Sequence, residues 1–148
     1  MKKFLLSLLL LSLTGCATVS IPNYINDKHP YTREFYASYD EVLAAVTQTL
    51  VQLGWKVSKP MNPAIYEQTD LKEEGKEAFL YTEIRQTSFF IGSRYGRMNV
   101  FVRPGSDKRY EVELRYLTVT SLPFKAFNNY RQDSLARQIF KKLEEKLK

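Results

Sequence analysis

Three segments of the sequence each contain alternate residues that form one mostly apolar row. These segments lie at residues 80–84, 98–102 and 112–116. A period of two residues is typical of a β-strand with one buried face and one polar face. The connections at 92–96 and 104–107 contain glycine and favour hairpins. The three segments therefore predict an antiparallel meander.

Two helices are predicted to flank the meander in sequence. Ser38 and Glu41 have the spacing of a capping box, in which each side chain accepts a hydrogen bond from the other residue's backbone. Apolar residues then recur at helical spacing, and Gly54 favours a stop. This first stripe consists of Val42, Leu43, Val46, Leu50 and Leu53, and a second, from about residue 129 to the end, contains Leu135, Ala136, Ile139, Phe140, Leu143 and Leu147.

The order of these elements predicts the fold class α+β. We expect a two-layer sandwich with an antiparallel sheet of about four to six strands and both helices on one face. A strand near residues 31–37 precedes the first helix, and residues 55–59 are expected to return to the sheet. Residues 121–130 are expected to form a loop that crosses the sheet. Residues 31–148 are therefore assigned to a single α+β domain.

Residues 1–15 have the organisation of a secretory signal peptide. Lys2 and Lys3 precede an apolar run at residues 4–13. A helix of that length reaches only about 15 Å, whereas the hydrocarbon core of a bilayer is about 30 Å thick. The run is therefore too short to cross a membrane, and its charged start is typical of a cleaved leader.

Leu13-Thr14-Gly15-Cys16 resembles the lipobox of bacterial lipoproteins. The resemblance implies cleavage between Gly15 and Cys16 and formation of a diacylglycerol cysteine, with acyl chains such as palmitate that attach the protein to a membrane. Cys16 is the only cysteine, so it has no partner for an intramolecular disulfide. Residues 16–30 are then expected to form the lipidated cysteine and a flexible tether, because the segment contains prolines and asparagines without periodicity.

The same resemblance implies a location. In lipoproteins of Gram-negative cells, Asp directly after the cysteine tends to retain the protein in the inner membrane. Ala17 occupies that position here. On the assumption of a Gram-negative source, the resemblance implies an outer-membrane lipoprotein on the periplasmic face.

The layout of the domain is similar to the helix-grip modules of BamC-type envelope lipoproteins. The similarity is carried by EFYASYDEVLAAVTQTL at residues 34–50, LGWKV at 53–57, the meander and the C-terminal helix. It implies a helix-grip fold. The chain has one such domain where the BamC type has two, and no functional residue is carried over.

Composition argues against several kinds of chemistry. The net charge is only +6, spread along the chain, so nucleic acid is not expected as a partner. The only histidine, His29, lies in the predicted tether, so the domain lacks residues for a Ser-His-Asp or Cys-His triad and has a poor set of zinc ligands. We therefore expect no enzymatic activity, no cofactor and no metal.

Arginines along the meander are candidates for contact with an anion. The set comprises Arg85, Arg94, Arg97, Arg103 and Arg115. They could bind lipid headgroups, lipopolysaccharide or peptidoglycan through charge-assisted hydrogen bonds. The favoured alternative is a solvated sheet face on which arginines pair with strand glutamates such as Glu111 and Glu113, because sheet faces commonly balance charge in this way. Such pairing also explains these two glutamates better than a catalytic pair does.

Aromatic residues near the predicted turns are candidates for a docking surface. The set comprises Phe89, Phe90, Tyr95, Phe101, Phe124 and Phe127. In one interpretation they form a patch for a protein partner. In the other, the loop at residues 121–130 folds over the sheet edge and buries them, and the general burial of large apolar residues favours this slightly.

These features predict a lipid-anchored, non-enzymatic module for protein interaction or assembly in the envelope, with an envelope protein as partner. The alternative is a carrier that binds a lipid or another apolar ligand in a groove between the sheet and the C-terminal helix. A continuous cavity beneath Ile139 and Leu143 would support the carrier. A packed core with exposed Phe89 and Phe90 would support docking.

Overall fold

The computed structural model describes residues 19–67 and 76–148. Its elements in chain order are β1 (Tyr31–Phe35), α1 (Tyr39–Gln52), β2 (Ala78–Tyr81), β3 (Arg85–Phe89), β4 (Gly92–Pro104), β5 (Tyr110–Leu122), β6 (Lys125–Asn129) and α2 (Asp133–Lys146). A short 3-10 helix, Pro63–Ile65, lies between α1 and β2. The leader, Cys16 and Ala17 lie outside the described residues, so what was predicted for them stays a prediction.

The strands form one antiparallel sheet around the long β4–β5 hairpin. β4 and β5 pair continuously from Ser93–Ser121 to Pro104–Tyr110. On the free edge of β5, β1 pairs with its first part and β6 with its last part. β2 and β3 divide the free edge of β4 in the same way. Six antiparallel strands with two helices confirm the predicted α+β sandwich.

The two long strands therefore have two halves with different neighbours. We term residues 97–104 and 110–117 the core half, which β1 and β2 flank. Residues 92–96 and 118–122 form the distal half, which β3 and β6 flank.

The first helix begins and ends as the sequence predicts. The Ser38 side chain accepts a hydrogen bond from the Glu41 amide, and the Glu41 carboxylate accepts one from the Ser38 amide at 2.9 Å. Gly54 follows the helix with a φ of +77°, a left-handed conformation that favours glycine. The helix start thus follows from local hydrogen bonds alone.

Both helices pack on one face of the core half and enclose the apolar core. The largest wholly buried side chains of that layer are Leu50, Leu80, Met98, Ile139 and Leu143, with Val42, Val46, Val100 and Val102 between them. The void beside Ile139 measures only about 10 Å³, which is close to the minimum that holds one water molecule. The core is therefore filled.

The opposite face of the sheet is covered by residues 19–30, termed the N-terminal segment. Ile25 is wholly buried, and Ile21 is nearly so, in a cluster with Leu117 and Val119. Asn99 fixes the segment's backbone, since its side chain accepts a hydrogen bond from the Ile25 amide at 2.6 Å. The prediction of a flexible tether over residues 16–30 therefore needs correction at residues 21–25, where single isoleucines, too few for a periodic pattern, anchor the chain.

Three local predictions also differ from the structure. Residues 55–59 contribute one isolated bridge, Val57 to Thr82, and no strand. The segment at 80–84 is divided between β2 and an irregular link that precedes β3. Residues 121–130 form the β5–β6 hairpin where a crossing loop was expected, because a short turn lets the chain pair directly with the free edge of β5.

Candidate functional site

The distal half of the sheet is uncovered on the face that the helices cover elsewhere. Met98, Val100 and Val102 of the core half pack beneath the helices. Among the described residues, no side chain of the distal half belongs to that apolar core. Sheet surface therefore continues beyond the helices and forms the floor of an open site.

A groove of about 260 Å³ opens at the point where the helices end. Gly96, Tyr116 and Thr118 lie on its floor, and Trp55 and the first turns of α2 line its sides. A Cβ atom added at Gly96 would lie 2.7 Å from the Tyr116 hydroxyl oxygen. Glycine at this position thus leaves room for the tyrosine.

Two of the predicted arginines line this groove. The Arg85 guanidinium stacks 3.8 Å from the Trp55 ring centroid and donates to the Leu53 carbonyl at 3.0 Å. Arg94 is exposed on the neighbouring strand. Neither forms an ion pair with a carboxylate in the described part of the chain. Burial raises the pKa of Tyr116, although the two arginine charges oppose this, so Tyr116 is a neutral hydrogen-bonding group beside two cations.

The other predicted arginines lie on the opposite face of the sheet. Glu113 pairs with Arg115 and, at 3.0 Å, with Arg103. Glu67 pairs with both arginines, at 2.9 Å with Arg115. The predicted ion pairs are thus present for Glu113 but, among the described residues, not for Glu111, and the face is covered by the N-terminal segment and is not solvated as expected.

Arg97 belongs to the same covered face but has a different role. Its guanidinium donates to the Ile21 carbonyl at 3.2 Å and to the Asn23 side-chain oxygen at 2.5 Å. Burial lowers the pKa of Arg97. Arg97 therefore helps to hold the N-terminal segment, and Arg97, Arg103 and Arg115 are not available as an open anion contact.

The carboxylates of this network have pKa values shifted in opposite directions. Burial alone would raise the pKa of Glu67, but the Tyr24 hydrogen bond and the charges of Arg103 and Arg115 outweigh it and lower the pKa. Burial and the neighbouring charge of Glu113 raise the pKa of Glu111. Glu113 is held by two arginines, so its carboxylate is engaged in the fold and does not form an open acid pair with Glu111.

Two hairpin turns end the distal half side by side and carry exposed apolar side chains. The β3–β4 turn contains Phe90 and Ile91, and the β5–β6 turn contains Pro123 and Phe124. Phe90 is fully exposed, and Phe124 is 91% exposed. Together with Phe89 and Phe127, which are each more than two-fifths exposed, the large apolar residues of these turns form what we term the apolar tip.

The exposure of the tip bears on the two interpretations of the predicted docking residues. Phe89, Phe90, Phe124 and Phe127 are exposed, so the slightly favoured burial of these residues is wrong. The β5–β6 hairpin extends the sheet and does not fold over it, which leaves the turns without a cover. Two other predicted docking residues lie elsewhere. Phe101 is wholly buried on the covered face, and Tyr95 is half-buried against the N-terminal segment.

Phe124 also has an unusual backbone conformation. Its φ is +68°, a left-handed value that most side chains avoid and that tight turns usually assign to Gly or Asn. A bulky aromatic ring is thus kept at a position that would be more easily occupied by glycine. Strain of this kind tends to be retained where the side chain has a function.

Comparison with known proteins leaves the site to be interpreted from its geometry. No protein-family model matches the chain, and no curated protein matches it significantly. Within residues 19–67 and 76–148, no helix is long and apolar enough to span a membrane. In the same part of the chain, no group of three His, Cys, Asp or Glu residues is placed to bind a metal.

Sequence reasoning missed Trp55 and Tyr116 as site residues. Trp55 is the only tryptophan and directly follows Gly54 at the end of the first helix, which was a weak signal that it lies at an edge of the core. Tyr116 was recognised only as part of an alternating strand, since a strand pattern does not show where its helical cover ends.

Proposed function

We propose that this chain is a lipid-anchored protein of the bacterial envelope and serves as a non-enzymatic interaction module. In this proposal, Cys16 carries the lipid, the domain lies on the periplasmic face of the outer membrane, and the groove binds an acidic segment of a partner protein. The lipobox resemblance and Ala17 support the anchoring and the location.

The choice of an interaction module rests on a comparison of the filled core beneath α2 with the open groove. A carrier needs an apolar cavity between the sheet and α2, but Ile139 and Leu143 are buried in a filled core, and the void there is about 10 Å³. The groove of about 260 Å³ is instead open and lined largely by polar side chains. Recognition at the surface fits this arrangement better than enclosure of a lipid.

The charges of the groove favour an acidic ligand. Arg85 and Arg94 lie on adjacent strands, and no acidic residue lines the groove among the described residues. α2 begins at the groove, although Asp133 in its first turn offsets the partial positive charge of the N-terminal end of the helix. Gln132 and Gln138 add amide donors. A carboxylate-bearing segment would find both charge and hydrogen-bond complementarity here.

A photocrosslinking experiment on the lipidated protein in native membranes tests the groove. A photoreactive residue replaces Thr87, which lines the groove, and the crosslinked protein is identified in three backgrounds: the parent, Arg94→Glu and Arg137→Glu. The matched control, Arg137, is an exposed arginine on α2 outside the groove. We expect one protein crosslink that falls at least tenfold in Arg94→Glu and persists in Arg137→Glu.

The same experiment separates the two function classes. Crosslinks to lipid alone, with no protein partner, would overturn the interaction module and restore the carrier. A protein crosslink that is equally strong in Arg94→Glu would remove the groove as the binding surface. Mass spectrometry of the natural protein tests the anchor separately, because an intact leader or an unmodified Cys16 thiol would contradict lipidation.

A further inference from the structure

The N-terminal segment runs along the sheet toward the apolar tip. The Ile25 amide bonds to Asn99, and four residues earlier the Ile21 carbonyl bonds to Arg97, which is two strand positions nearer the tip. Val19 then packs against the cluster that contains Leu117 and Val119. Traced toward its N-terminus, the described chain therefore approaches the end of the sheet where the two turns lie.

Chain length limits how far Cys16 can lie from Val19. Cys16 is three positions before Val19, and three residues of extended chain span at most about 11 Å. Val119 is also three strand positions from Leu122, the last residue of β5, a distance of about 10 Å. The attachment point for the lipid is thus close enough to lie level with the tip.

We propose that the apolar tip inserts into the bilayer beside the lipid on Cys16 and acts as a second membrane attachment. This inference rests on the proposed lipid anchor, which brings the end of the sheet to the membrane. The β4–β5 turn, at the other end of the long strands, then points away from the bilayer.

The side chains of the tip suit a lipid surface. Phe90, Ile91 and Phe124 are the most exposed large apolar residues of the two turns, and each would leave water on insertion. Residues 86–94 and 121–129, which form the two hairpin ends, contain no Asp or Glu. Lys125 follows Phe124 directly, and its ammonium lies 4.6 Å from the Phe127 ring centroid. A cation behind an apolar tip is well placed for anionic headgroups.

Two observations favour a bilayer over a protein partner at the tip. The tip is formed by separate turns that project together at one end of the molecule, and the chain that leads to the lipid approaches the same end. Phe124 lies at the apex of a turn, and its ring is almost wholly exposed. A protein partner would bind in the groove, which is a separate surface from the tip.

Fluorescence depth measurements test the insertion. The full-length lipidated protein is reconstituted in phosphatidylethanolamine–phosphatidylglycerol vesicles with a label at Phe90→Cys or, as the control, at Glu145→Cys on the exposed end of α2. Because Phe90 is fully exposed, its replacement leaves the core intact. We expect a blue shift and quenching by spin-labelled lipid at position 90, and neither at position 145.

A second variant measures how strongly the tip holds the membrane. Ile91→Gln with Phe124→Gln removes two inserted side chains, so transfer of the lipidated protein between vesicles should accelerate about tenfold or more. Ile65→Gln is the matched control, because Ile65 is exposed to a similar degree as Ile91 but lies outside the tip. Its transfer rate should be unchanged.

The outcomes separate this inference from the anchor itself. Lipidation of Cys16 is first confirmed by mass spectrometry. If the label at position 90 of this lipidated protein then stays in water, insertion is overturned and the anchor is unaffected. Shielding of the label only after envelope proteins are added would also overturn it, in favour of protein docking. Insertion by natural protein whose Cys16 is shown by mass spectrometry to carry no lipid would support the tip and contradict the anchor.

Discussion

The core half and the distal half of the long β4–β5 hairpin share one backbone ladder but differ in what covers them. In the core half, helices bury one face and the N-terminal segment buries the other. In the distal half, the helix-side face is open, and the two turns project aromatic side chains. Strands of 13 residues are longer than the helical layer needs, so the extra length is available for binding.

The two halves also handle their arginines differently. Arg103 and Arg115 of the core half are engaged by Glu67 and Glu113. Arg94 of the distal half is exposed and, in the described part of the chain, is not in an ion pair. The comparison predicts that loss of a paired charge or of a buried side chain in the core half or its cover reduces stability, whereas substitutions in the distal half cause little loss of stability and act on the proposed binding.

The largest expected effect is at Glu113, whose carboxylate pairs with Arg103 and Arg115. Glu113→Gln removes a negative charge that faces the buried guanidinium of Arg115. The free energy of unfolding should therefore fall by about 3 kcal/mol. Urea unfolding, monitored by the fluorescence of the single buried tryptophan, Trp55, measures the change.

Glu111→Gln provides the matched control on the same strand and face. Its pKa is raised by burial and by the charge of Glu113, so the neutral side chain should leave stability unchanged or slightly higher. Equal losses in the two variants would break the distinction between a paired and an unpaired carboxylate.

The next largest effect tests the cover of the core half. Ile25→Ala should lower the free energy of unfolding by about 2 kcal/mol, because a wholly buried side chain is lost. Ile65→Ala, at an exposed isoleucine, should change it by less than about 0.5 kcal/mol. A negligible effect of Ile25→Ala would show that the N-terminal segment contributes little to the fold.

Acid sensitivity should also come from Glu67, which pairs with Arg103 and Arg115 of the core half. The folded-state pKa of Glu67 lies below its ordinary value of 4.5, so its contribution is present above pH 4.5 and is lost as the pH falls through the lowered pKa. Glu67→Gln should therefore weaken the acid dependence of stability by about 1 kcal/mol, the size typical of a partly exposed pair. Parallel stability–pH curves for the parent and the variant would contradict this.

The smallest effect is expected in the distal half and has the opposite sign. Phe124→Gly relieves a left-handed φ of +68° at an exposed turn and should raise the free energy of unfolding by less than about 1 kcal/mol. The glycine's greater freedom in the unfolded chain limits the gain. A clear loss of stability would mean that the exposed ring supports the fold.

The predictable parts of the fold are those encoded by neighbouring residues. The Ser38–Glu41 cap, the Gly54 stop and the alternating rows of β4 and β5 could all be identified from local spacing. The cover formed by Ile21 and Ile25 could not. Its stability comes from contacts with residues about 74 positions away, such as Asn99, and no local pattern encodes them.

The division of the arginines between the two faces of the sheet could not be predicted for a related reason. Leu80 of β2 and Arg85 of β3 both lie on the helix side of the sheet, although they are five residues apart and a regular strand would place them on opposite faces. The irregular link between the two strands shifts the alternation by one residue, and such a shift moves every later side chain to the other face. Sequence alone therefore assigned Arg85 to the wrong face.

The distant contacts of the N-terminal segment set an order of events during synthesis. Arg115, which donates to the Ile25 carbonyl, is 90 residues further along the chain. Ribosomes release the amino end first, so Ile25 emerges long before its binding surface exists. The ion pairs of Arg103 and Arg115 beneath the N-terminal segment can therefore form only after the β4–β5 hairpin has formed. Chaperones that bind unfolded chains would have that interval in which to bind the nascent polypeptide.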